Sequence, residues 1–299
     1  MTAGRRARAA LAALALTAAG CGVGEGETTE GEATLTVSRD YGSEELLEAT
    51  TEDPSASETV LRFIDREADI ETRYGGGFVQ SIDGLAGGTD DGRRTDWFFY
   101  VNGIESPVGA AEVEVRAGDR IWWDHHDWTD VMRAPAVVGS WPAPFSTSED
   151  AAVDCRSEDF EVCDDVSRRI AEAGEAGDEG GEAPTVLVGP WESIRDSQGA
   201  PALEQPSARS GVFAGFEIAG SGWELILFDQ ELDERARLGP GAGLVAASST
   251  DGEGATWIVT GTDEDGVAAA AELLHAETLA DRFAIAAPPD AEPIPAPVP

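Results

Sequence analysis

Residues 97–103 read Trp-Phe-Phe-Tyr-Val-Asn-Gly, an aromatic run that ends in a turn signal. Successive side chains of a β-strand point to opposite faces, so Trp97 and Phe99 share one face. Phe98 and Tyr100 share the other. One set is expected to pack on a hydrophobic core. For the other set the sequence leaves two alternatives open: it packs against a second domain, or it contacts a ligand.

The residues around this run predict an α+β module between residues 33 and 130. Alternation over residues 33–38 predicts a first strand, whereas residues 43–50 fit either a strand or a short helix. Ser55 and Glu58 have the spacing of a capping box, which favours a helix start there. Further strands are predicted at residues 78–82, 97–102, 112–116 and 120–124.

Four segments of this module, taken in order, carry a family likeness. They read Gly-Phe-Val-Gln-Ser-Ile-Asp-Gly-Leu at residues 77–85, Trp-Phe-Phe-Tyr-Val-Asn-Gly at 97–103, Val-Gly-Ala at 108–110 and Gly-Asp-Arg-Ile-Trp-Trp at 118–123. In this order and spacing they resemble the transcobalamin C-terminal-like domain. The resemblance implies a β-grasp fold for residues 33–130. In the vertebrate cobalamin carriers of that family the domain closes over one face of the corrinoid, and bacteria carry it in many envelope proteins.

The resemblance also indicates where a ligand would bind. The ligand-contact strand of the carriers corresponds to the aromatic run, so the predicted ligand-binding residues are Phe78, Trp97, Phe99, Tyr100 and Asn102. Aromatic faces supply contact area, and an amide can orient a polar edge of the ligand. We therefore expect a non-catalytic binding module, for a corrinoid or a similar small ligand delivered to a transporter. The alternative is a structural or adhesive envelope protein with no small-molecule ligand.

The first residues, 1–20, read as a lipoprotein signal peptide. Arginines precede an uncharged apolar segment at residues 9–19, which is too short to span a bilayer. Ala-Ala-Gly-Cys at residues 18–21 resembles a lipobox, which implies lipid attachment at Cys21; the alternative is an ordinary secretory signal. Residues 21–32 are rich in Gly, Glu and Thr and predict a flexible tether. The chain is expected at the cell membrane, lipid-anchored, on the extracytoplasmic side.

The charge of the chain excludes some classes of partner. It holds 58 acidic and 20 basic side chains, every basic one an arginine, for a formal net charge of −38. Such a charge repels nucleic-acid phosphates and anionic lipid headgroups, so no nucleic-acid binding is expected. The lipid anchor is the expected contact with the membrane.

The second half predicts another mixed α/β domain, of unknown function, over residues 153–287. A Pro-rich connector at residues 131–152 precedes it. Helices are predicted at residues 161–172 and 263–279, between strand patterns. Residues 288–299 hold six prolines and predict a disordered tail.

Cys155 and Cys163 predict a disulfide bond. They lie close in sequence, in a chain that is expected to be exported to a compartment where disulfides form. A zinc site is the alternative, and it would need more ligands than this pair has nearby.

Residues 122–128 read Trp-Trp-Asp-His-His-Asp-Trp, the most unusual heptad of the chain. Its polar side chains could bind a metal, but adjacent strand residues point to opposite sides, so His125 and His126 would share one ion only in a turn. The favoured interpretation is a structural aromatic and charged turn at the domain edge. The chain has no Gly-x-Ser-x-Gly, Ser-x-x-Lys or His-Glu-x-x-His motif. We therefore expect no enzymatic activity, no catalytic residue and no metal cofactor.

Overall fold

A computed structural model describes residues 30–74, 77–147, 151–174, 184–204, 207–250 and 253–299. The predicted signal peptide, Cys21 and most of the predicted tether lie outside the described residues. Within them the chain combines many strands with few helices in more than one unit, which confirms the mixed α+β class. No helix in these ranges is both long and apolar enough to cross a membrane.

The first unit is a sheet with one helix packed on it. Its elements are β1 (Glu32–Arg39), β2 (Glu44–Glu52), α1 (Val60–Glu67), β3 (Ile70–Arg73), β4 (Phe78–Ile82), β5 (Leu85–Ala86), β6 (Gly88–Asp90), β7 (Arg93–Val101), β8 (Ile104–Glu105) and β9 (Arg120–Asp127). The main sheet has the order β2-β1-β9-β7-β6, with β8 beside β7. Strands β1 and β9 run parallel, and the other pairs are antiparallel. Strands β3, β4 and β5 form a separate small sheet.

Helix α1 closes the core of the first unit. Its buried side chains Val60, Phe63 and Ile64 share one hydrophobic core with residues of the main sheet, among them Leu35 and Trp123. The core of this unit therefore lies between α1 and one face of the sheet.

The start of α1 differs from the prediction. The helix begins at Val60 because Thr59 caps it, its Oγ1 accepting a hydrogen bond from the Arg62 N–H at 3.3 Å. The Ser55 hydroxyl instead contacts the Ser57 hydroxyl at 3.1 Å. The helix therefore starts one turn later than the capping-box spacing indicated.

Two strand predictions in the first unit need correction. Residues 112–116 form no named strand: Glu114 makes a single bridge with Thr59, and the Val60 N–H donates to the Val113 carbonyl at 3.0 Å. That segment therefore holds the start of α1 instead of extending a sheet. The predicted strand at residues 120–124 continues to Asp127, because β9 is hydrogen-bonded to β1 on one side and to β7 on the other.

The second unit is a six-stranded sheet with a smaller sheet beside it. Its elements are β10 (Ala152–Cys155), α2 (Phe160–Gly174), β11 (Thr185–Pro190), α3 (Trp191–Ile194), α4 (Ser207–Ser210), β12 (Ala214–Ala219), β13 (Gly222–Phe228), β14 (Glu234–Leu238), β15 (Gly243–Thr250), β16 (Glu253–Gly261), α5 (Glu264–Glu272), α6 (Ala276–Leu279), β17 (Ala284–Ala287) and β18 (Ile294–Ala296). Two 3₁₀ turns lie at Phe145–Thr147 and Ala200–Leu203. The large sheet has the order β10-β11-β16-β15-β17-β18, and β12, β13 and β14 form the small one.

The two faces of the large sheet belong to different cores. One face packs against α2 and α5, through residues such as Val188, Trp257 and Val267. The other face shares a core with the small sheet and with Tyr100 and Trp122 of the first unit. The two units are therefore joined by a continuous hydrophobic core.

The predicted helix at residues 263–279 is two helices. Helix α5 ends at Glu272 and α6 begins at Ala276. Leu273 and Leu274 lie between them and are buried, and His275 is extended with φ −139° and ψ 145°. The extended backbone of His275 separates the two helices, which an alanine-rich pattern alone does not reveal.

The proline-rich tail is ordered, which corrects the prediction of disorder for residues 288–299. Strand β18 pairs antiparallel with β17, and the Val298 N–H donates to the Phe228 carbonyl at 2.9 Å. Ala296 is buried between Pro295 and Pro297, which line a surface cleft. A strand can form here because an edge strand pairs on one side only and so tolerates residues without an N–H group.

Cys155 and Cys163 form the predicted disulfide. Cys155 ends the edge strand β10, and Cys163 lies near the start of α2. The bond therefore ties the edge of the large sheet to the helix that covers it.

Replacing both cysteines by serine is expected to lower the free energy of unfolding by about 2–3 kcal/mol, because the loop that the bond closes is short. Urea unfolding of the oxidised chain and of the double variant measures this difference. Reduction should destabilise the parent chain by the same amount and leave the double variant unchanged. Equal stability of the oxidised parent and the double variant would contradict the prediction.

Candidate functional site

The predicted ligand-contact strand, β7, has protein on both faces. Trp97 and Phe99 belong to the core of the first unit. The Trp97 indole N–H donates to the Leu85 carbonyl at 2.9 Å, and Phe99 stacks on Trp123 with ring centroids 4.8 Å apart. This face of β7 is therefore filled by the unit's own side chains.

Tyr100, on the opposite face of β7, meets the second unit. Its side chain is fully buried, and its ring centroid lies 5.5 Å from that of Trp122 and 5.7 Å from that of Phe283. Of the alternatives for this face, packing against a second domain is the one observed. The structure thus buries Trp97, Phe99 and Tyr100, three of the five residues of the predicted ligand-binding set.

Asn102 follows β7 in a tight turn. Its φ is +52°, a conformation that asparagine adopts more readily than most residues. Its Nδ2 donates to Asp119 Oδ1 at 2.8 Å, and its Oδ1 accepts from the Arg120 N–H at 2.9 Å. Both polar atoms of the amide therefore hold the turn together.

Phe78, the remaining member of the predicted set, lies apart from the others. It is half-buried at the start of β4, and its ring centroid is 6.4 Å from that of Tyr74. Tyr74 is 90% exposed. The structure therefore does not bring the five predicted residues together into one site.

The heptad at residues 122–128 lies mainly in β9, which corrects the prediction of a turn at the domain edge. Trp122 and His126 contact Phe283 of the second unit. His125 faces the other way, with its ring centroid 5.1 Å from that of Trp97. The two histidines point to opposite faces, as strand alternation requires. Within the described ranges, no group of three or more His, Cys, Asp and Glu side chains is arranged to hold a metal ion.

Asp124, on the face of β9 turned to the second unit, is the centre of a buried hydrogen-bond network. Its Oδ1 accepts from the Ser38 hydroxyl at 2.6 Å and from the Gly42 N–H at 2.9 Å. Its Oδ2 accepts from the Tyr41 N–H at 3.1 Å and lies 2.7 Å from His126 Nδ1. A carboxylate with no solvent exposure is tolerated here because both oxygens have partners.

The His126 ring is fixed between two aromatic rings. Its ring stacks on Tyr41 with centroids 4.3 Å apart and on Phe98 with centroids 4.4 Å apart. With its Nδ1 on Asp124, the side chain is held in one orientation at the boundary between the units.

His125, on the opposite face, is not available as a ligand in an open site. Burial lowers the pKa of His125, which favours the neutral ring. Its Nε2 is buried and has no hydrogen-bond partner among the described residues.

The turn between β1 and β2 connects this network to the surface. Asp40, Tyr41 and Gly42 have φ values of +55°, +59° and +75°. A Cβ on Gly42 would lie 2.0 Å from the Asp281 carbonyl oxygen, so glycine is required where the turn rests on the second unit. The Tyr41 hydroxyl donates to the Asp127 carbonyl at 2.5 Å.

A cleft of about 500 Å³ opens beside this turn, between the two units. The first unit contributes the β1–β2 turn, and the second contributes the β13–β14 turn, the segment after α6 and the tail. Its polar lining includes Asp40, Ser43, Glu231, Arg235 and Arg282.

Most charges in and around the cleft are paired. Arg235 binds the buried Asp229, with its Nε 2.5 Å from Asp229 Oδ2. Arg93 joins the two units, because its Nε lies 2.5 Å from Asp127 Oδ2 and its Nη2 lies 3.4 Å from Glu231 Oε1. Arg282 differs from both: among the described residues it donates only two long bonds, each 3.5 Å, to the carbonyls of residues 42 and 281.

The sequence contains two signals for this cleft that the predictions did not use. Asp-Tyr-Gly-Ser at residues 40–43 directly follows a strand, which is typical of a turn. Ile-Pro-Ala-Pro-Val at residues 294–298 alternates between proline and apolar residues, which is a strand period.

Comparison with known proteins gives a partial assignment. No curated protein matches the chain. A crystal structure from Ruminococcus gnavus ATCC 29149, of a protein for which metal binding has been suggested, matches with 20% sequence identity and a TM-score of 0.26, over 33% of this chain and 98% of that one. The transcobalamin-like identity stays a prediction. Residues 57–127, within the first unit, match the family described as a domain of unknown function, DUF4430.

Proposed function

We propose that the chain is a cell-envelope lipoprotein whose folded part is a non-catalytic binding module, with its ligand in the cleft between the two units. The observation that carries this proposal is the cleft itself, which is open beside an otherwise filled interface. Its volume of about 500 Å³ falls in the range of small-molecule sites, which is roughly 300–1,000 Å³. Delivery of the ligand to a transporter is part of the same proposal.

For the first unit we propose a β-grasp fold. Three features support it: the β1–β2 hairpin, the helix α1 packed on the sheet, and a last strand, β9, that runs parallel to β1 in the middle of the sheet. A β-grasp fold is also what the transcobalamin-like resemblance implies.

A corrinoid is the ligand that the resemblance suggests, but β7 offers it no open face. A flat macrocycle would have to bind in the cleft or at the exposed Tyr74 and half-buried Phe78. We therefore keep corrinoids as one class of probe and move the expected contacts away from Trp97, Phe99 and Tyr100.

The alternative function is structural or adhesive, and one observation favours it. Most of the boundary between the units is filled by rings, namely those of Tyr41, Tyr100, Trp122, Phe213 and Phe283. A boundary packed in this way suits a rigid spacer as well as a binding protein.

A thermal-shift screen of the exported chain separates these functions. The probes are corrinoids, haem, divalent metals, sugars, amino acids and short peptides, since a ligand of the folded state raises the melting temperature. Ser43→Trp fills the cleft from its rim, and Ser57→Trp, at an exposed position outside the cleft, is the matched control. A shift seen with the parent and with Ser57→Trp, but lost in Ser43→Trp, is expected. Absence of any shift favours the structural alternative.

The location is a separate part of the proposal. The disulfide supports export, because such bonds persist in oxidising compartments. Cys21→Ser is expected to release the protein from the membrane fraction, because the variant has no thiol to acylate. Cell fractionation measures this, with Cys163→Ser as a control that keeps the anchor. An exported Cys21→Ser protein that stays membrane-bound would show that the anchor lies elsewhere.

A further inference from the structure

We propose that the cleft between the units binds a short zwitterionic peptide, whose carboxylate contacts Arg282 and whose ammonium group lies near Asp40. This inference rests on the proposed function of the cleft, and it names the class of ligand.

Arg282 has the charge that a ligand carboxylate needs. It lines the cleft and is half-buried, yet no carboxylate oxygen among the described residues lies within 4 Å of its guanidinium group. Its two hydrogen bonds, both 3.5 Å long, go to backbone carbonyls. Arg235 in the same cleft is held by Asp229. A guanidinium group offers several donors in one plane, and it binds a carboxylate most strongly when two of them are free.

Asp40 supplies the opposite charge on the first unit's side of the cleft. Its side chain is 62% exposed, and the Arg39 Nε, at 3.7 Å, is its ion-pair partner. Glu231 is a weaker candidate, because it faces Arg93 and accepts a hydrogen bond from Gln230 at 3.1 Å. Among the described residues of the cleft, Arg282 has no carboxylate oxygen within 4 Å and interacts with the Asp281 carboxylate only at longer range, and Asp40 is loosely paired.

The charge of the whole chain selects between kinds of ligand. A ligand with only negative charge is repelled by a protein with a formal charge of −38. A ligand with only positive charge leaves Arg282 without a partner. A zwitterion has no net charge and satisfies both groups, which is why we infer a molecule with free amino and carboxyl groups.

The wall of the cleft favours a peptide over a more polar zwitterion. Pro295, Pro297 and Val298 of the tail line it together with Tyr41. Proline has no N–H group to donate, so this wall contacts a ligand mainly through apolar atoms. Small side chains of a peptide suit such a wall.

Isothermal titration of the exported chain with tri-alanine tests the inference. Tri-alanine is expected to bind, and its C-terminal amide and its N-acetyl form are each expected to bind at least tenfold more weakly. The Arg282→Gln variant should bind tri-alanine at least tenfold more weakly than the parent does. It should bind tri-alanine and its C-terminal amide with equal affinity. Asp40→Asn should in the same way lose discrimination against the N-acetyl form. Arg237→Gln, on β14 and outside the cleft lining, should bind as the parent does.

The outcomes separate the two levels of the proposal. Equal affinity for tri-alanine and its blocked forms, or no binding of tri-alanine at all, overturns the peptide assignment. If another probe of the thermal-shift screen then stabilises the parent but not Ser43→Trp, the cleft is still the binding site and only the ligand class is wrong. If no probe stabilises the parent, the proposed function fails together with this inference.

Discussion

Asp124→Ala is expected to lower the free energy of unfolding by about 3–5 kcal/mol, because it leaves several buried donors without an acceptor. The variant leaves the Ser38 hydroxyl, His126 Nδ1 and two backbone N–H groups of the β1–β2 turn without their acceptor. Each of these donors is buried or nearly so, and an unsatisfied buried donor costs about 1–3 kcal/mol. The turn also loses the contact that holds three consecutive residues at positive φ.

Chemical denaturation followed by tryptophan fluorescence measures the loss. Asp40→Asn is the matched control, because this neighbouring carboxylate is 62% exposed and loosely paired, and asparagine tolerates the +55° φ of the position, so stability should change by less than about 0.5 kcal/mol. Asp124→Asn should lie between the two, since the amide keeps one acceptor and gains donors that the site cannot use. A loss below about 1 kcal/mol for Asp124→Ala would mean that Asp124 does not hold the turn.

The network around Asp124 separates what the sequence can predict from what it cannot. Once His125 and His126 are known to lie in β9, alternation alone puts them on opposite sides, because the period of a strand is a local property. The role of Asp124 depends on Ser38 and the β1–β2 turn, more than 80 residues away along the chain. No spacing pattern within the heptad carries that information, so the heptad alone favours a turn at a domain edge.

The disulfide and the tail differ in the same way: the sequence predicts the first, whereas contacts with distant parts of the chain determine the second. Cys155 and Cys163 are close in sequence, and their pairing followed from cysteine usage and compartment. The order of the tail depends on β17 and on the Phe228 carbonyl, which only the folded chain brings to it. Composition favoured disorder there because many prolines reduce backbone pairing, whereas one free edge was enough for β18.

The candidate site was the least predictable part, for a physical reason. Its polar lining includes Asp40, Ser43, Glu231 and Arg282, which three turns bring together at the boundary between the units. Turn residues have no hydrophobic period, so they leave little trace in the sequence. The ligand prediction rested on the aromatic run. That run has the composition of a strand buried on both faces, and Phe283, which packs on its second face, lies in the other half of the chain.

Tyr100→Ala is expected to cost about 3–5 kcal/mol of unfolding free energy, as large-to-small changes of buried aromatic residues do. The ring lies between Trp122 and Phe283, so its loss opens a cavity where the two units meet. Trp97→Ala should cost a similar amount, but within the core of the first unit alone.

Tyr100→Phe makes the test specific to packing. The Tyr100 hydroxyl is buried and has no hydrogen-bond partner among the described residues. Its removal should therefore leave stability unchanged or raise it by up to about 1 kcal/mol, because no bond is lost and an unsatisfied group disappears. Melting temperatures and corrinoid titrations of Tyr100→Ala, Tyr100→Phe and Trp97→Ala give the answer. If Tyr100→Ala melts like the parent and loses corrinoid binding that the parent has, Tyr100 faces a ligand, and the interface between the units is open at this position.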